Sequence, residues 1–374
     1  MAKRLRIAIL YNEPTSTRGE DRQFVTTGGH LDGSGVVRNN GGRGGAQPQM
    51  VDKPLGLDLS EVGVLEEMED IKSALTSLGY RPSIFNVDSD IYRLLDYLRN
   101  EKPDLIFNLV ECVENESLQE MHVAGLYELL KIPYTGAGAY ALGTALNKPR
   151  VKELLLHHGI PTAAFQVFAG SSRIALSEDL QFPVIIKPSR EDGSVGISDA
   201  SVVTSNSELR KRVQYILEEF QQPALVEEFI DGRELNVAIL GYREPILLPI
   251  SEIDFSGLTD GMQRIVSYEA KWLHGTVAYQ GTKGVCPASL TSAQEAKMRA
   301  IALKCFRLIG CRDYCRVDFR MKKDGSLYVL EVNPNPDISD DAGFARSAKA
   351  YGLTFVEIVG RIVESALDRA RHTP

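Results

Sequence analysis

The sequence has few of the features that mark secreted, membrane-spanning or nucleic-acid-binding proteins. Its five cysteines are an odd number and form no Cys-x-x-Cys pair, which favours a reduced chain over a disulfide framework. No apolar run approaches the length of a membrane span, and the amino-terminal apolar segment is too short for a secretory signal. The net charge is −8 and no basic stripe stands out, which argues against nucleic-acid binding. We therefore expect a cytoplasmic protein with neither a nucleic-acid nor a membrane partner.

What the chain does have is an ordinary globular composition and a length of 374 residues, enough for two or three domains. Strand and helix patterns alternate near the amino terminus, with strands expected at 4–11, 81–87 and 104–110 and helices at 61–78 and 90–100. Ser60 is the expected N-cap of the first helix. This βαβαβ order predicts a parallel, doubly wound sheet.

An insert of about 14–58 interrupts this pattern. Within it, residues 28–45 contain eight glycines and no aromatic side chain. Such a stretch buries too little apolar surface to offset the entropy lost on ordering. We expect a mobile or disordered insert, with a lid as the less favoured alternative.

The segment 315–333 carries the most informative pattern, because Asp324-Gly325 is a strong hairpin turn between two apolar runs. A two-residue turn pairs Lys323 with Ser326. Counting outward from that pair then places further residues opposite one another on one face: Asp318 with Glu331, and Arg316 with Asn333. The other face is expected to be core and consists of Cys315, Val317, Phe319 and Met321.

Two carboxylates directly opposite each other repel, so the pattern favours a cation between Asp318 and Glu331. Ligands that are all oxygen suit Mg²⁺, and an arginine beside the metal can stabilise charge on a transferring phosphoryl group. The alternative is a solvated, charged hairpin face. The run that follows, 333–337, contains two prolines and cannot continue a central strand. The polar residues therefore lie at a strand end beside a loop, where sites are common.

Features of a nucleotide site lie earlier in the chain. Lys187 ends an apolar strand before a glycine-containing loop at 192–196, and such a lysine can reach a polyphosphate that the loop N–H groups cradle. Lys148 lies in a helix expected over 139–158. After the strand at 224–229, linker backbone could read an adenine edge beside Phe229, and Glu234 could hold ribose hydroxyls. Taken singly, each has a plainer alternative: a surface lysine, a core phenylalanine or a solvated acid.

These residues stand in longer segments that match a family. The segments are IPYTGAGAYALGTALNK, FPVIIKPSREDGSVGIS, ALVEEFIDGRELNVAILG, YEAKW, CRVDF and LEVN. The chain resembles the ATP-grasp enzymes, and most closely the D-alanine–D-alanine ligases, from about residue 132 to the end. The resemblance implies an ATP-grasp fold of three α/β domains, the first a parallel-sheet pre-ATP-grasp domain, with ATP between the last two. We place the domains at 1–138, 139–229 and 230–374.

The resemblance implies ATP-dependent amide formation through an acyl phosphate, with a small-molecule carboxylate and an amine as substrates. Related ligases are often dimers, so a homodimer is also suggested. Roles follow by position. Arg316 would stabilise the acyl phosphate and the tetrahedral intermediate, and Gly193 and Ser194 would lie in the loop that closes over the phosphates. The ATP phosphates would be bound by Lys148, Lys187 and Lys271. Adenine would be bound by Glu227 and by the backbone of Glu228, Phe229 and Ile230, and the ribose by Glu234. Two Mg²⁺ ions, or Mn²⁺ in their place, would be bound by Asp318, Glu331 and Asn333.

The chain departs from the family where the acceptor should bind. Asp337 replaces a glycine that helps hold the oxyanion, and Ala342 replaces a serine that binds the acceptor carboxylate. Asp340 and Asp341 make this loop acidic, the segment 108–116 is acidic too, and Trp272 replaces a tyrosine that contacts the phosphate loop. Carboxylates beside the pocket would repel an acceptor carboxylate, so we expect an acceptor that is positively charged or lacks one.

Several alternatives stay open at this point. The three aspartates can instead cap a helix expected at 342–350, because acidic residues are common before a helix start. The chain can be a D-alanine–D-alanine ligase proper. It can also be an ATP-grasp phosphotransferase that forms no amide, or a nucleotide-binding module without catalysis.

Overall fold

The computed structural model describes residues 4–13, 59–114, 116–340 and 342–372, and of residues 59–62 it describes the backbone alone. The predicted glycine-rich segment 28–45 and Asp341 lie outside these ranges.

Three parallel strands form the amino-terminal sheet in the order β2-β1-β3. Ile7 and Ile9 pack in one layer with the first helix, whereas Ala8 and Leu10 pack in the other layer with the second and third. The doubly wound sheet is therefore confirmed. The first helix begins at Leu59, so Ser60 lies in its first turn and the predicted N-cap is wrong. The elements are β1 Arg6–Tyr11, α1 Leu59–Ser77, β2 Arg81–Asn86, α2 Ile91–Glu101, β3 Leu105–Leu109 and α3 Gln119–Leu129.

The segment 139–158 is mostly helical, as expected, and consists of two helices, α4 Ala139–Leu146 and α5 Lys148–His157. Asn147 separates them, and its side chain accepts a hydrogen bond from the N–H of Arg150 at 3.2 Å. Pro149 lacks an N–H group, which is tolerated in the first turn of a helix but not in its interior. Lys148 is therefore the first residue of α5 rather than a mid-helix residue.

A second sheet, antiparallel and in the order β4-β7-β5-β6, follows these helices. Helix α6 begins after Ser205, whose side chain accepts from the N–H of Glu208, and packs its apolar face on this sheet. Apolar runs in the sequence predict strands at 163–168, 183–187 and 224–229, and all three are confirmed, whereas β6 was not predicted. The elements are β4 Phe165–Phe168, β5 Val184–Pro188, β6 Val202–Val203, α6 Asn206–Glu219 and β7 Ala224–Glu228.

The third sheet is antiparallel, has the strand order β11-β10-β8-β12-β13, and pairs β9 with β8. Helix α9 covers its core face, beginning at a Thr291 capping box and ending at Gly310 with a φ of +81°. Strands β10 and β11 and helices α7 and α8 were not predicted. The elements are β8 Arg233–Leu240, β9 Ile246–Leu247, β10 Ser251–Asp254, α7 Tyr268–Trp272, α8 Val277–Gly281, β11 Lys283–Val285, α9 Ser292–Ile309, β12 Tyr314–Met321, β13 Leu327–Asn333, α10 Gly343–Tyr351 and α11 Phe355–His372.

The β12–β13 hairpin differs from the prediction at its turn. The N–H of Lys322 donates to the carbonyl of Ser326 at 2.9 Å, so the loop has three residues and the predicted Lys323–Ser326 pair is wrong. The ladder then shifts by one residue between Asp318 and Phe319, which leaves Leu330 as a β-bulge. The one-residue difference at the turn and the one-residue shift at the bulge have opposite signs, so the pairing beyond the bulge is the predicted one.

Asp318 therefore pairs with Glu331 and Arg316 with Asn333, as predicted. On the opposite face the four expected core side chains of β12 are at most 3% exposed. Because of the bulge, Val329 and Val332 both reach that core although they are three residues apart. The bulge thus allows β13 to fill the core and still present Glu331 beside Asp318.

The carboxyl-terminal helix α11 packs against α1, on the amino-terminal sheet. Arg369 donates to the Tyr134 carbonyl at 2.7 Å and to the Asp313 carboxylate at 2.8 Å. Asp313 also accepts from the N–H of Gly136 at 2.9 Å. These bonds join the last helix, the start of β12 and the segment after β3. Across the ranges described, no helix is long and apolar enough to cross a membrane.

Candidate active site

The predicted metal ligands meet at the carboxyl-terminal end of β13. Arg316 makes a bidentate contact with Asp318, in which its Nε and Nη2 donate to the two carboxylate oxygens at 2.8 Å each. The Nδ2 of Asn333 lies 3.0 Å from Oδ2 of Asp318 and 3.5 Å from Oε1 of Glu331. One amide group therefore touches both carboxylates, which places all four side chains in one cluster.

Burial and charge act differently on the two acids. Burial raises the pKa of Asp318, and the negative charge of Glu331 adds to this effect while Arg316 opposes it. Burial also raises the pKa of Glu331, but the positive charges of Lys148, Lys187 and Arg316 outweigh it and lower that pKa to about 2. Asp318 is thus the acid whose ionisation is unfavourable, and a cation beside it would remove that cost.

The donor set fits a magnesium ion that also binds phosphate. No group of three or more His, Cys, Asp or Glu side chains forms a metal site in the part of the chain that the structure describes. The cluster supplies two carboxylates and one amide, and Mg²⁺ is typically held by one or two carboxylates together with substrate phosphates and water. Asp318, Glu331 and Asn333 could therefore hold such an ion only in company with a phosphate-bearing ligand.

Three lysines lie close enough to this cluster to interact electrostatically with Glu331: Lys148, Lys152 and Lys187. Lys148 Nζ contacts the Asp192 carboxylate at 2.8 Å and the Glu191 carbonyl. Lys187 and Lys152, a residue that the sequence analysis did not select, both contact the Glu227 carboxylate. Glu227 therefore forms ion pairs with two lysines, which the prediction that it binds adenine did not include.

Helix α7 and the loop at 192–196 are tied together. Nε1 of Trp272 donates to the Gly193 carbonyl at 2.8 Å, and Ser194 Oγ donates to the Val266 carbonyl at 2.8 Å. Lys271 Nζ lies 4.5 Å from the centroid of the Trp272 ring system. Gly193 and Ser194 have φ values of +62° and +64°, an unfavourable conformation for a serine. The contact expected between Trp272 and this loop is present, as a hydrogen bond from the Trp272 side chain to a backbone carbonyl of the loop.

Glu234, predicted to hold ribose, pairs with Arg320 at 2.8 Å. Burial raises the pKa of Glu234, and Arg320 opposes this effect. Arg320 Nη1 also donates to the Gly232 carbonyl at 2.9 Å, and its guanidinium lies 6.0 Å from the Phe229 ring. A Cβ on Gly232 would lie 2.2 Å from the Met321 carbonyl oxygen, so only glycine fits this approach of two strands.

The remaining residues of the predicted adenine linker divide by exposure. Glu228 pairs with Lys322 at 3.0 Å at a partly exposed position. Ile230 is buried, with 3% of its surface exposed. Phe229 donates its N–H to the Pro183 carbonyl at 3.1 Å.

The acidic loop after β13 packs against the amino-terminal layer. Asp337 Oδ1 accepts from the N–H and the hydroxyl of Ser339, and the N–H of Ile338 donates to the buried Glu67 at 3.2 Å. The N-cap residue of α10 is Ala342, which has no side-chain acceptor. Asp337 therefore closes its own loop and does not cap α10, while Asp340 is exposed.

Acids from separate elements face one another around this loop. Burial raises the pKa of Glu67 well above its usual value, and Asp337 and Glu111 raise it further. Burial likewise raises the pKa of Glu120, with added contributions from Glu111 and Asp192. Neither Glu67 nor Glu120 was selected from the sequence, because nothing local shows that these helix residues are buried together.

The family model described as D-ala D-ala ligase C-terminus matches residues 154–364, more than half of the chain. A D-alanine–D-alanine ligase of Carboxydothermus hydrogenoformans is 32% identical over 84% of this chain and 96% of the relative.

The chain belongs to the D-alanine–D-alanine ligase family.

The chain is similar to further proteins in sequence and in fold. A D-alanine–D-alanine ligase of Alcanivorax borkumensis is 36% identical over 67% of this chain and 74% of the relative. An uncharacterized Sinorhizobium fredii protein, y4sG, is 31% identical over 80% of this chain and 86% of the relative. The crystal structure of the Bacillus anthracis D-alanine–D-alanine ligase complexed with ATP has a TM-score of 0.69 at 18% identity, covering 98% of this chain and 99% of that one. The fold is thus the predicted ATP-grasp fold, and the chain is an ATP-binding, ADP-forming carbon–nitrogen ligase of the D-alanine–D-alanine ligase type.

Proposed function

We propose that this ligase joins a small carboxylate, such as an amino acid, to an amine acceptor that is positively charged elsewhere or lacks a carboxylate. The observation that carries the proposal is the set of acids around the loop after β13. Burial lowers the pKa of the Arg316 guanidinium, but the carboxylates of Asp318, then Glu331 and then Asp337 together raise it above its usual value. Because Arg316 already holds Asp318 in two hydrogen bonds, its charge is largely compensated. An acceptor carboxylate near it would meet the further negative charge of Asp337, which already acts on Arg316 together with Asp318 and Glu331.

We assign the proposed steps to residues of this chain as follows. A substrate carboxylate oxygen attacks the γ-phosphorus of ATP, and the bond to the β-γ bridging oxygen breaks, giving an acyl phosphate and ADP. The acceptor amine then attacks the acyl carbon, loses a proton, and inorganic phosphate leaves. Lys148, Lys187 and Lys271 would bind the phosphates, with the loop of Gly193 and Ser194 over them. Arg316 would stabilise the acyl phosphate and the oxyanion that follows.

The proposed metal site would be Asp318, Glu331 and Asn333, which would hold two Mg²⁺ ions, with Mn²⁺ as a substitute. When bound, the ions would neutralise the charge that develops on the phosphoryl oxygens. Glu227, the Glu228–Ile230 backbone and Glu234 would line the adenosine, although Glu227 and Glu234 each have a protein partner as well. Trp272, Asp337, Asp340 and Asp341 are proposed to border the substrates. A homodimer, suggested by the family, is testable by light scattering.

A set of amines with the same three-carbon chain tests the acceptor proposal. Propylamine, diaminopropane and β-alanine carry a methyl, an ammonium and a carboxylate at the far end. With D-alanine and other small carboxylates as donors, phosphate release and mass spectrometry of the amide would give kcat/KM for each amine. We expect diaminopropane to exceed β-alanine by about tenfold or more, the factor that corresponds to about 1.4 kcal/mol. Robust turnover with D-alanine alone would contradict the proposal and establish the second candidate, a D-alanine–D-alanine ligase proper.

A pair of neighbouring variants on α1 sharpens this test. Glu67 is 7% exposed and faces the acidic loop, whereas Glu66 is exposed. Burial raises the pKa of Glu67, so the comparison is made at a pH at which Glu67 is ionised. There, Glu67→Gln should reduce the preference for diaminopropane over propylamine, because it removes one negative charge beside the acidic loop. Glu66→Gln is the matched control and should leave that preference unchanged. If the two variants change the preference for diaminopropane equally, the acids around the loop do not determine acceptor specificity.

A further inference from the structure

A buried triad of charges lies between α5, β5 and β7. Lys152 and Lys187 approach the two oxygens of the Glu227 carboxylate, one to each. The side chains of Lys152 and Glu227 are 1% and 2% exposed, and that of Lys187 is 9% exposed. Lys152 Nζ also donates to Thr162 Oγ1 at 2.7 Å. The triad therefore holds two positive charges and one negative charge almost out of contact with water.

Buried charges are retained only where partners compensate their lost hydration, and one carboxylate would suffice for one lysine. If Lys187 were the sole partner of Glu227, the two would form a neutral, mutually saturated pair. Because Lys152 also contacts this carboxylate, the two lysines share the single negative charge of Glu227. The triad therefore keeps a net positive charge, which lies nearest to water at Lys187. Lys187 is the member proposed to meet the ATP phosphates.

We propose that Lys152 is a positioning residue for ATP binding. It pairs with one oxygen of the Glu227 carboxylate and neutralises part of its negative charge, so that Lys187 keeps enough positive charge to bind the nucleotide phosphates. The proposal rests on the proposed contact between Lys187 and ATP. Lys152 itself is too deeply buried to reach the nucleotide, so it acts through Glu227.

The same lysine connects the triad to the strand of the metal ligands. Thr162 Oγ1, which accepts from Lys152, donates to the Val329 carbonyl at 2.8 Å. The N–H of Val329 donates to the Pro161 carbonyl at 2.8 Å. Val329 is followed by the bulge residue and then by Glu331. Lys152 thus lies where the segment before β4 is hydrogen-bonded to β13. One side chain therefore helps to position both Lys187 and the strand that bears Glu331.

A charge-compensation experiment tests the proposal. Lys152→Met leaves Lys187 and Glu227 as a closed pair, and we expect the dissociation constant of a Mg²⁺–ATP analogue to rise by about tenfold, the effect of one charged hydrogen bond. The KM for the amine acceptor should not change. Lys152→Arg should restore most of the affinity. The double variant Lys152→Met, Glu227→Gln should bind the analogue more tightly than Lys152→Met alone, because it frees Lys187.

Calorimetric titration gives the affinities, and thermal denaturation confirms that each variant is folded. Lys211→Met, an exposed lysine of α6, is the control for loss of one positive charge. Because Glu227 is also proposed to line the adenosine, Glu227→Gln alone measures any affinity lost through that contact. If the double variant binds no better than Lys152→Met once that loss is subtracted, Lys152 has only a packing role and the inference is wrong. Lys187→Met separates the two claims. If it leaves ATP affinity unchanged, the proposed phosphate contact itself fails; if it weakens binding while Lys152→Met does not, only the inference fails.

Discussion

Replacing Asp318 with asparagine tests the proposed metal site because stability and activity should respond differently. The substitution keeps the shape of the side chain and removes the buried member of two carboxylates that lie beside the same amide of Asn333. Two unit charges about 5 Å apart repel by roughly 3 kcal/mol at an effective dielectric constant of 20. Relief of that repulsion offsets the loss of the charged contact with Arg316. We therefore expect the Asp318→Asn protein to be folded and about as stable as the wild type without metal.

Activity should respond in the opposite way. A cation between the carboxylates would lose half of its protein charge, and the loss of one such electrostatic contribution typically costs about 10²–10³ in kcat, or about 2.7–4 kcal/mol of barrier. Phosphate release under saturating ATP and Mg²⁺ measures this directly. Binding of an ATP analogue at a hundred times its dissociation constant should stabilise the wild type by about 2.7 kcal/mol. The Mg²⁺-dependent part of that stabilisation should be lost in the variant.

Asp324→Asn is the control for this experiment. It makes the same change at the exposed tip of the same hairpin, where the carboxylate accepts from the N–H of Ser326 at 2.8 Å. Its activity and its response to Mg²⁺ should match those of the wild type. Wild-type activity in Asp318→Asn would refute the assignment of the metal ligands. An unfolded Asp318→Asn protein would refute the argument that the bare pair is repulsive.

Three further predictions concern the surroundings of the site. Trp272→Phe removes the hydrogen bond to the Gly193 carbonyl and should raise the KM for ATP about fivefold, from the loss of roughly 1 kcal/mol; an unchanged KM would show that this bond does not hold the loop. Asp313→Asn removes the fully buried carboxylate that accepts from Gly136, Ser365 and Arg369, and should lower the free energy of unfolding in urea by about 3–5 kcal/mol; a loss below about 1 kcal/mol would contradict this. The pKa of Glu67 is raised in the folded protein, so its ionised form is destabilising and stability is regained as the pH falls. Glu67→Gln should therefore raise the free energy of unfolding at neutral pH and flatten its decrease as the pH rises above the usual glutamate pKa; a fall in stability at neutral pH would reverse this conclusion.

The hairpin shows how far local sequence rules reach. Alternation along β12 correctly separates Asp318 from the core residues, because side-chain direction in a strand is a local property. The turn was predicted one residue too short, since Asp324-Gly325 is also compatible with a three-residue loop in which glycine has a positive φ. The pairing of Asp318 with Glu331 was nevertheless correct, because the bulge at Leu330 compensates. That bulge has no sequence signal of its own and arises from packing of Val329 and Val332 against α9.

The residues that were missed depend on contacts between distant segments. Lys152 resembles any helix lysine in sequence, and its burial results from Glu227 and Thr162 closing over it. Glu67 and Glu120 meet the acidic loop only once the amino-terminal layer is packed against the third sheet. The break between α4 and α5, by contrast, was readable from Asn147 and Pro149, an N-cap followed by a helix-start proline.

The most direct test of the central claim is a crystal structure of the protein with a non-hydrolysable ATP analogue and Mn²⁺, which gives anomalous scattering. We predict an anomalous peak about 2.0–2.2 Å from oxygens of both Asp318 and Glu331, shared with the nucleotide phosphates. A bound nucleotide with no peak near either carboxylate, or with the two side chains turned apart, would contradict the account.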